Sequence, residues 1–172
     1  AQNEQQQSAE HPSGESAQDN PTTQSETKEP AQNPFGPAAS EESEQAAIAA
    51  LKKLGASIVK DEDGNVSEIH FVGSDLVFKE TTDADLVYLK GLTELEQLHL
   101  TETQITDTGL GHLKGLKNLT YLSLFNTKVS DAGLVHLKGL TKLETLVLYR
   151  TQVSDAGVAE LQKALPNCKI DH

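Results

Sequence analysis

A leucine pattern that recurs every 24 residues constrains the fold of this chain more than any other feature of its sequence. Leu95, Leu98 and Leu100 form the spacing L-x-x-L-x-L, and the same spacing begins again at Leu119 and at Leu143. A fixed period of about 20–29 residues with this spacing is typical of solenoids in which every unit supplies a strand and a short helix. The repeat therefore predicts a solenoid of the α/β class.

Each leucine pattern is accompanied by a second motif, which predicts a short helix. A serine or threonine precedes an aspartate, so a hydroxyl can cap the helix and a carboxylate lies in its first turn, where the helix dipole favours negative charge. Apolar residues follow three apart, and a glycine after a lysine ends the first three segments. The motif predicts two-turn helices that begin at Thr82-Asp83, Thr106-Asp107, Ser130-Asp131 and Ser154-Asp155.

The first unit departs from the regular one. Val66, Ile69 and Phe71 fit the leucine frame 29 residues ahead of the next unit, so this unit has five extra residues. We place the insertion between positions 72 and 80, because the helix motif resumes its register directly afterwards. A short apolar run and a glycine-containing turn at positions 61–65 precede the unit and predict a β-hairpin.

Composition divides the chain into three parts. Residues 1–39 are almost entirely polar and bury too little apolar surface to offset the entropy of ordering, so we predict a disordered acidic linker. Residues 40–55 form the pattern of an amphipathic helix, which we expect to cap the first repeat. Residues 56–172 make up the repeat domain, and a shortened strand around Ile170 is expected to close its far end.

Charge excludes several classes of partner. The formal net charge is −12, and the first 45 residues, with nine acidic residues and one lysine, carry −8 of it. The remaining residues hold 17 acidic and 13 basic side chains, with no stripe of lysine and arginine. Nucleic acid and an anionic membrane surface are therefore not expected partners. No run of about 18 apolar residues is present, so the sequence predicts no transmembrane helix.

The N-terminal segment bears on where the protein acts. The chain begins at Ala1 without a methionine, and a polar acidic spacer is typical of a domain held away from a leader or a membrane anchor. We therefore favour an extracytoplasmic location (periplasmic, secreted or lipid-anchored), with a cytoplasmic one as the alternative. The single cysteine, Cys168, excludes an intrachain disulfide and leaves the compartment open. We expect a monomer.

The repeat unit resembles the leucine-rich-repeat family. The unit L-x-x-L-x-L-x-x-T-x-[IV]-[ST]-D-x-G-L-x-x-L-x-x-L is similar to the 24-residue type common in bacterial proteins and related to repeats associated with the F-box, and it covers residues 66–170. The resemblance implies a right-handed superhelix with a parallel sheet on the concave face and short helices on the convex face. Many family members have asparagine where Thr103, Thr127 and Thr151 stand, and a threonine hydroxyl can make some of the same hydrogen bonds in the turn.

Alternation along each strand defines an outward face. If Leu98 and its equivalents point inward, their neighbours point outward, and strands about 4.8 Å apart align them in columns. Three of the seven aromatic residues lie on this face beside an arginine. These residue types anchor protein interfaces, although cross-strand packing alone also favours aromatics there. The sequence predicts a partner-binding face composed of Gln97, His99, Thr101, Tyr121, Ser123, Phe125, Thr145, Val147, Tyr149 and Arg150.

Two pairs of histidines and the cysteine are the candidates for chemistry. His70 and His99 share a column and, with a nearby glutamate, have donor atoms that zinc accepts, but a third ligand at fixed spacing is missing. Duplication of the unit explains His112 and His136, and packing at the closing turn explains Cys168. No nucleophile–base or phosphate-binding motif is present. We therefore predict no catalytic, metal or cofactor site, and no enzyme activity.

The sequence thus predicts a non-catalytic module that binds a protein partner through the concave sheet. A structural or assembly module, tethered outside the cytoplasm by the N-terminal linker, is the alternative from another class. An adaptor subunit of a degradation complex is a third alternative, which the absence of an F-box ahead of the repeats disfavours. The binding hypothesis predicts that serine at Tyr121, Phe125 and Tyr149 abolishes partner capture at a nearly unchanged melting temperature.

Overall fold

The structure, a computed structural model, describes residues 41–71 and 81–172. The predicted linker at 1–39, the predicted helix cap at Ser40 and the extra residues expected between 72 and 80 lie outside this part of the chain. The α-helices are α1 (Glu41–Lys53), α2 (Asp107–Leu110), α3 (Asp131–Leu134) and α4 (Asp155–Ala164). The strands are β1 (Ser57–Lys60), β2 (Val66–His70), β3 (Gln97–His99), β4 (Tyr121–Ser123), β5 (Thr145–Val147) and β6 (Lys169–Asp171).

The strands form one sheet in the order β1-β2-β3-β4-β5-β6. β1 pairs with β2 in antiparallel fashion, which confirms the predicted hairpin, and β2 to β6 are all parallel. Ile69 lies opposite Leu98, and Leu146 lies opposite Ile170, so each step across the parallel sheet is one repeat. The α/β solenoid with a parallel sheet is therefore confirmed, and Ile170 occupies the strand-leucine position as predicted.

The strand leucines form a continuous core along the solenoid. Leu98, Leu122 and Leu146 have no exposed surface, and one cluster of buried side chains extends from Ile48 in α1 to Cys168. Complete burial of a leucine contributes about 1.5–3 kcal/mol to folding. Because every repeat adds equivalent leucines, the apolar core is continuous from one unit to the next and stabilises their stacking.

Helix α1 packs its apolar stripe onto the first end of this core. Ile48 and Leu51 are buried among the same side chains as the strand leucines. The amide of Ala56 donates to the carbonyl of Leu51 at 3.0 Å, and the amide of Gly55 donates to the carbonyl of Lys52 at 3.0 Å, which together form a Schellman motif. Gly55 has φ 83°, a conformation that glycine adopts without steric cost, so it ends the helix where the sequence predicted.

The convex segments are the predicted short helices, and they differ from one another in helix type. Asp83–Gly91 is a 3₁₀-helix, and α2 continues as a second 3₁₀-helix over Gly111–Gly115. Side chains three residues apart eclipse one another in a 3₁₀-helix, so Leu86, Leu89 and Leu92 align on one buried line. In these two segments the uniform spacing of three thus matches the tighter helix. In α4 the apolar residues are spaced by three and four, and ten residues form an α-helix.

An aspartate of each repeat forms hydrogen bonds with the capping serine or threonine of the next repeat, a contact that the sequence did not predict. We call each such contact an inter-repeat aspartate pair. Oδ1 of Asp107 accepts a hydrogen bond from the backbone amide of Ser130 at 2.7 Å, and Oδ2 accepts one from its hydroxyl at 2.6 Å. The Ser130 hydroxyl also accepts from the amide of Ala132 at 3.3 Å, which confirms the predicted cap. The aspartate therefore acts across the repeat boundary as well as in its own first turn. The other inter-repeat aspartate pairs are Asp83 with Thr106 and Asp131 with Ser154.

A glycine in each helix makes room for the aspartate of the preceding repeat. A Cβ atom built on Gly133 would overlap Oδ1 of Asp107, and it would lie 3.0 Å from Cδ1 of Leu110 and 3.1 Å from Cα of Asp107. Gly109 and Gly157 face Asp83 and Asp131 in the same way. The D-x-G part of the repeat is therefore a contact between units, in which the glycine of one unit accommodates the carboxylate of the unit before it.

Acid is expected to weaken the inter-repeat aspartate pair of Asp131 with Ser154. Hydrogen bonds from the hydroxyl and the amide of Ser154 lower the pKa of Asp131 below its ordinary value of 3.8. A carboxylate whose pKa is lower in the folded state than in the unfolded state stabilises the fold fully at pH values above its ordinary pKa. This contribution is lost as the pH falls through the pKa of the folded state. The melting temperature of the Asp131→Asn variant should therefore fall less steeply than that of the wild type between about pH 4 and pH 2. Circular dichroism measures this slope, and equal slopes would contradict the assignment.

Candidate functional site

The sheet register places the predicted columns side by side on the concave face. Within each column, side chains of neighbouring strands stand directly opposite one another. The last strand adds one residue to each column beyond those predicted. The first column is Glu68, Gln97, Tyr121, Thr145 and Lys169. The second column is His70, His99, Ser123, Val147 and Asp171.

The half of the concave face formed by β2 to β4 is a connected cluster of polar and aromatic side chains. The rings of His70 and His99 stack with centroids 4.2 Å apart at 17°, and the His99 ring contacts Tyr121 at 4.7 Å. Oε2 of Glu68 lies 3.1 Å from Nε2 of His70, and its Oε1 accepts a hydrogen bond from Nε2 of Gln97 at 3.2 Å. We call these five residues the histidine cluster. Both carboxylate oxygens of Glu68 thus have partners within the cluster.

The histidine cluster favours a neutral His99. Burial lowers the pKa of His99, repulsion by His70 lowers it further, and Glu68 acts in the opposite direction. The stacked rings present faces rather than nitrogens to each other. Among residues 41–71 and 81–172, no group of three or more His, Cys, Asp and Glu side chains could hold a metal ion. The cluster therefore combines one carboxylate with stacked rings, and its His99 ring favours the neutral form.

Ser123 lies in the predicted column but is not accessible to a partner. Only 4% of its surface is exposed, because the larger side chains of Tyr121 and Phe125 flank it along the chain and His99 lies opposite. Its hydroxyl forms a hydrogen bond with that of Thr101 at 3.1 Å. The expectation that Ser123 contacts a partner is corrected accordingly: in this structure it joins two neighbouring strands.

The other half of the concave face, beside β4 and β5, presents an open group of side chains. The guanidinium carbon of Arg150 lies 5.5 Å from the ring centroid of Phe125, which is a cation–π distance. Tyr149 is 49% exposed. We call Phe125, Tyr149 and Arg150 the aromatic patch. The short side chains of Thr145 and Val147 in β5 lie next to it and are half-buried.

The structure divides the predicted aromatic group in two. Tyr121 belongs to the histidine cluster through its contact with His99, whereas Phe125 and Tyr149 begin the turns that follow β4 and β5. The ring of Tyr121 is therefore committed to an internal contact. A variant that tests the open surface should leave Tyr121 in place.

The strands end in turns that share one backbone conformation. The second residue of each turn is left-handed: Glu102 has φ 60°, Asn126 φ 54° and Arg150 φ 58°. The sequence did not predict this left-handed conformation, although an asparagine at one copy of a repeated turn position is a usual indication of it. The threonine that follows donates its hydroxyl to the carbonyl of the last leucine in the L-x-x-L-x-L pattern, which agrees in part with the hydrogen bonds that the resemblance implied. These pairs are Thr103 with Leu100 at 2.8 Å, Thr127 with Leu124 at 2.8 Å and Thr151 with Leu148 at 2.7 Å.

Comparison with protein-family models agrees with this geometry. A model described as "Leucine Rich repeat" matches residues 92–113 and 115–137, which contain β3, β4 and the inter-repeat contacts between them. The chain carries leucine-rich repeats. The resemblance inferred from the L-x-x-L-x-L spacing is confirmed.

Several solved leucine-rich-repeat structures are similar to parts of this chain. Internalin C2 of Listeria monocytogenes is 38% identical over 48% of this chain and 34% of its own, with a TM-score of 0.40. A leucine-rich-repeat protein of Leptospira interrogans is 23% identical over 49% of this chain and 27% of its own, with a TM-score of 0.38. A second internalin of Listeria monocytogenes is 16% identical over 73% of this chain and 54% of its own, with a TM-score of 0.37. The match spans about a third of the length of internalin C2. None of the curated proteins compared with the chain matches it.

The remaining candidate groups lie outside the concave face of the leucine-rich repeats. Burial lowers the pKa of His112, Lys90 adds to the effect and Asp83 opposes it. Cys168 is buried, and burial raises the pKa of its thiol to about 11, so the thiol stays protonated near neutral pH. The predicted packed cysteine is confirmed. In the part of the chain that the structure describes, no helix is long and apolar enough to cross a membrane.

Proposed function

We propose that this leucine-rich-repeat domain binds a protein partner through its concave sheet, with the aromatic patch as the anchor. The observation that carries the proposal is the open arrangement of Phe125, Tyr149 and Arg150 at one edge of a mostly polar face. Aromatic side chains and arginine supply much of the binding energy in protein interfaces, because they bury a large area at a small entropic cost. The half-exposed Tyr149 ring has apolar surface that a partner would remove from water.

The dimensions of the face favour a narrow partner segment. β3 to β6 are each three residues long, or about 10 Å, and the five parallel strands span about 19 Å. This plan area of about 200 Å² is far below the roughly 800 Å² that each partner buries in a standard protein interface. We therefore propose that the partner inserts a loop or an extended segment and makes its further contacts with the turns at the edge of the sheet.

The predicted contact residues fall into two roles under this proposal. The aromatic patch, with Thr145 and Val147, is the anchoring surface. Gln97, His99, Thr101 and Tyr121 form a polar border that already makes contacts within the sheet face, so each is expected to contribute less binding energy. Gln97 donates to Glu68, Thr101 bonds to Ser123, and the rings of His99 and Tyr121 contact each other. The predicted location outside the cytoplasm and the monomeric state stay predictions.

Replacing the exposed rings should separate binding from stability. The Phe125→Ser/Tyr149→Ser variant is expected to reduce capture of the partner by at least about tenfold, because both anchors are lost. Its melting temperature should change little, since neither ring belongs to the buried core. Capture from an extract of the source organism, with quantitative mass spectrometry of the retained proteins, measures the effect.

A matched control is available on the convex side. Val135 is 53% exposed and lies just after α3, so Val135→Ser removes exposed apolar surface away from the concave face. Proteins retained by the wild type and by Val135→Ser but lost by the double variant support the proposal. If the double variant retains the same proteins, concave-face binding fails, and the structural-module alternative, which predicts no sensitivity at these rings, is preferred.

A further inference from the structure

A row of three left-handed residues runs along one edge of the concave face, where β3, β4 and β5 end. Glu102, Asn126 and Arg150 occupy equivalent turns and have φ values of 60°, 54° and 58°. We call them the turn row. Asparagine adopts this conformation readily, whereas glutamate and arginine do so at a steric cost of the order of 1 kcal/mol. The chain therefore places opposite charges at the two ends of the row, in a conformation that both disfavour.

The turns do not depend on these charged side chains. The amide of Glu102 donates to the carbonyl of Phe125 at 2.8 Å, and the amide of Asn126 donates to the carbonyl of Tyr149 at 2.9 Å. Threonine hydroxyls supply the remaining support of each turn. Backbone and threonine contacts thus account for the geometry of the turn row, and the identities of the charged residues need another explanation.

Neither charge is neutralised within the described part of the chain. Arg150 contacts the Phe125 ring but no carboxylate of residues 41–71 or 81–172, and the Glu102 side chain has no ion pair there. By contrast, Lys169 and Asp171 on the adjacent strand pair with each other at 3.0 Å. Two exposed, unpaired and opposite charges therefore remain on the edge that borders the aromatic patch.

We propose that the turn row recognises the charge pattern of the partner, an inference that rests on the function proposed above. The partner is an extended protein segment with a carboxylate opposite Arg150 and a basic side chain opposite Glu102. Two strand spacings separate these residues by about 10 Å, which is about three residues of extended chain. A guanidinium held over an aromatic ring retains its hydrogen-bonding edge for a bidentate carboxylate. The segment also carries an apolar residue that packs on Phe125 and Tyr149.

Selection from a peptide library tests this charge pattern and does not require the partner to be identified first. A phage-displayed library of random 12-residue peptides is selected on the full chain and on its charge swap, Glu102→Arg/Arg150→Glu. The wild type is expected to enrich peptides with an acidic and a basic residue about three apart beside an apolar one. The charge swap is expected to enrich the reverse order of charges. A synthetic peptide selected on the wild type should bind the swap at least about tenfold more weakly.

The control exchanges the same charges elsewhere. Glu62 and Lys114 are exposed in the hairpin turn and in a convex 3₁₀-helix, so Glu62→Arg/Lys114→Glu preserves the net charge. This control should bind the selected peptide as the wild type does, within about twofold. Equal weakening by both swaps would overturn the inference, because it would indicate a long-range effect of charge rather than contact with the turn row.

A second variant uses the conformational cost itself. Arg150→Asn places a residue that favours left-handed backbone at this turn, so its melting temperature should rise by about 2 °C. The same variant should lose the preference for acidic peptides. A preserved acidic preference would overturn the role assigned to Arg150.

The outcomes distinguish this inference from the proposed function. Peptides that lose affinity for Phe125→Ser/Tyr149→Ser but not for the charge swap would leave concave binding standing and overturn charge recognition. Selected peptides whose affinity neither variant changes, or a library that enriches no sequence, would count against both proposals. Concentration-dependent self-association that the single reversal Arg150→Glu abolishes and the double swap restores, measured by light scattering, would identify a second copy of the chain as the occupant and overturn the peptide assignment.

Discussion

The free energy of unfolding of the Gly133→Ala variant is expected to be about 2–3 kcal/mol lower than that of the wild type. The added methyl group would overlap the carboxylate of Asp107, and two hydrogen bonds to Ser130 hold this carboxylate in place. The methyl group cannot shift away from the carboxylate either, because the Cα atom of Asp107 lies 3.1 Å from it. The protein must therefore lose the two hydrogen bonds, at about 1–1.5 kcal/mol each, or separate the repeats. Urea denaturation followed by circular dichroism measures the difference.

Gly111 offers a matched control for this substitution. It lies in the same kind of convex segment at φ −59°, and a Cβ built on it would meet no atom within 4 Å. Gly111→Ala is therefore expected to raise the free energy of unfolding by about 0.5–1 kcal/mol, because alanine loses less entropy on folding. Similar losses in both variants would mean that the contact with Asp107 is not what requires glycine at position 133.

The Asp107→Ala variant should lower the free energy of unfolding by about 2–3 kcal/mol. It removes two hydrogen-bond acceptors and leaves the partly buried amide and hydroxyl of Ser130 without these partners. It also removes the oxygen that excludes a side chain at position 133. The double variant Asp107→Ala/Gly133→Ala should therefore lose less stability than the sum of the two single losses, by about 1–2 kcal/mol.

The last repeat supplies the control for the aspartate. Asp155 stands in the same Ser-Asp-Ala-Gly sequence as Asp131, but its carboxylate faces the exposed His172 at 3.0 Å instead of a hydroxyl of a following repeat. Asp155→Ala is expected to leave the denaturation midpoint nearly unchanged. If it destabilises the chain as much as Asp107→Ala, the aspartate acts through its own helix turn, and the inter-repeat explanation fails. Strict additivity in the double variant would contradict it as well.

The inter-repeat aspartate pairs also bear on the function proposed for the concave face. They lie where one convex segment meets the next, whereas the aromatic patch lies at the strand ends, so the stabilising and the binding residues belong to different parts of each unit. In a repeat array, stability is approximately the sum of units and their interfaces. Substitutions in the patch are thus expected to change binding with little effect on stability, which makes the binding experiments interpretable.

The sequence determined the architecture, because the features that specify it are a periodic spacing of leucines and the alternation of side chains along each strand. The 24-residue step predicted the parallel register, the buried leucines and which residues share a column, and strand pairing such as Leu98 with Leu122 agrees. Alternation along a strand decides which side chain points outward, and no distant contact is needed to state it. The helix stop at Gly55 was predictable for the same reason, whereas the threonine hydrogen bonds in the turns followed from the resemblance to the leucine-rich-repeat family.

Only the tertiary structure decided what each outward or polar residue contacts. Asp107 and Gly133 meet because the repeats stack, which brings a carboxylate against a glycine 26 positions later in the chain. Ser123 is buried and Tyr121 is held against His99 because neighbouring side chains are larger, a relation between strands that one strand's pattern does not contain. A role for Glu102 and Arg150 in recognising a partner can be inferred only from the structure, which shows that their turns are left-handed and their charges unpaired in the described part of the chain. Periodicity specifies positions, whereas contacts depend on the size and charge of what the next repeat places opposite.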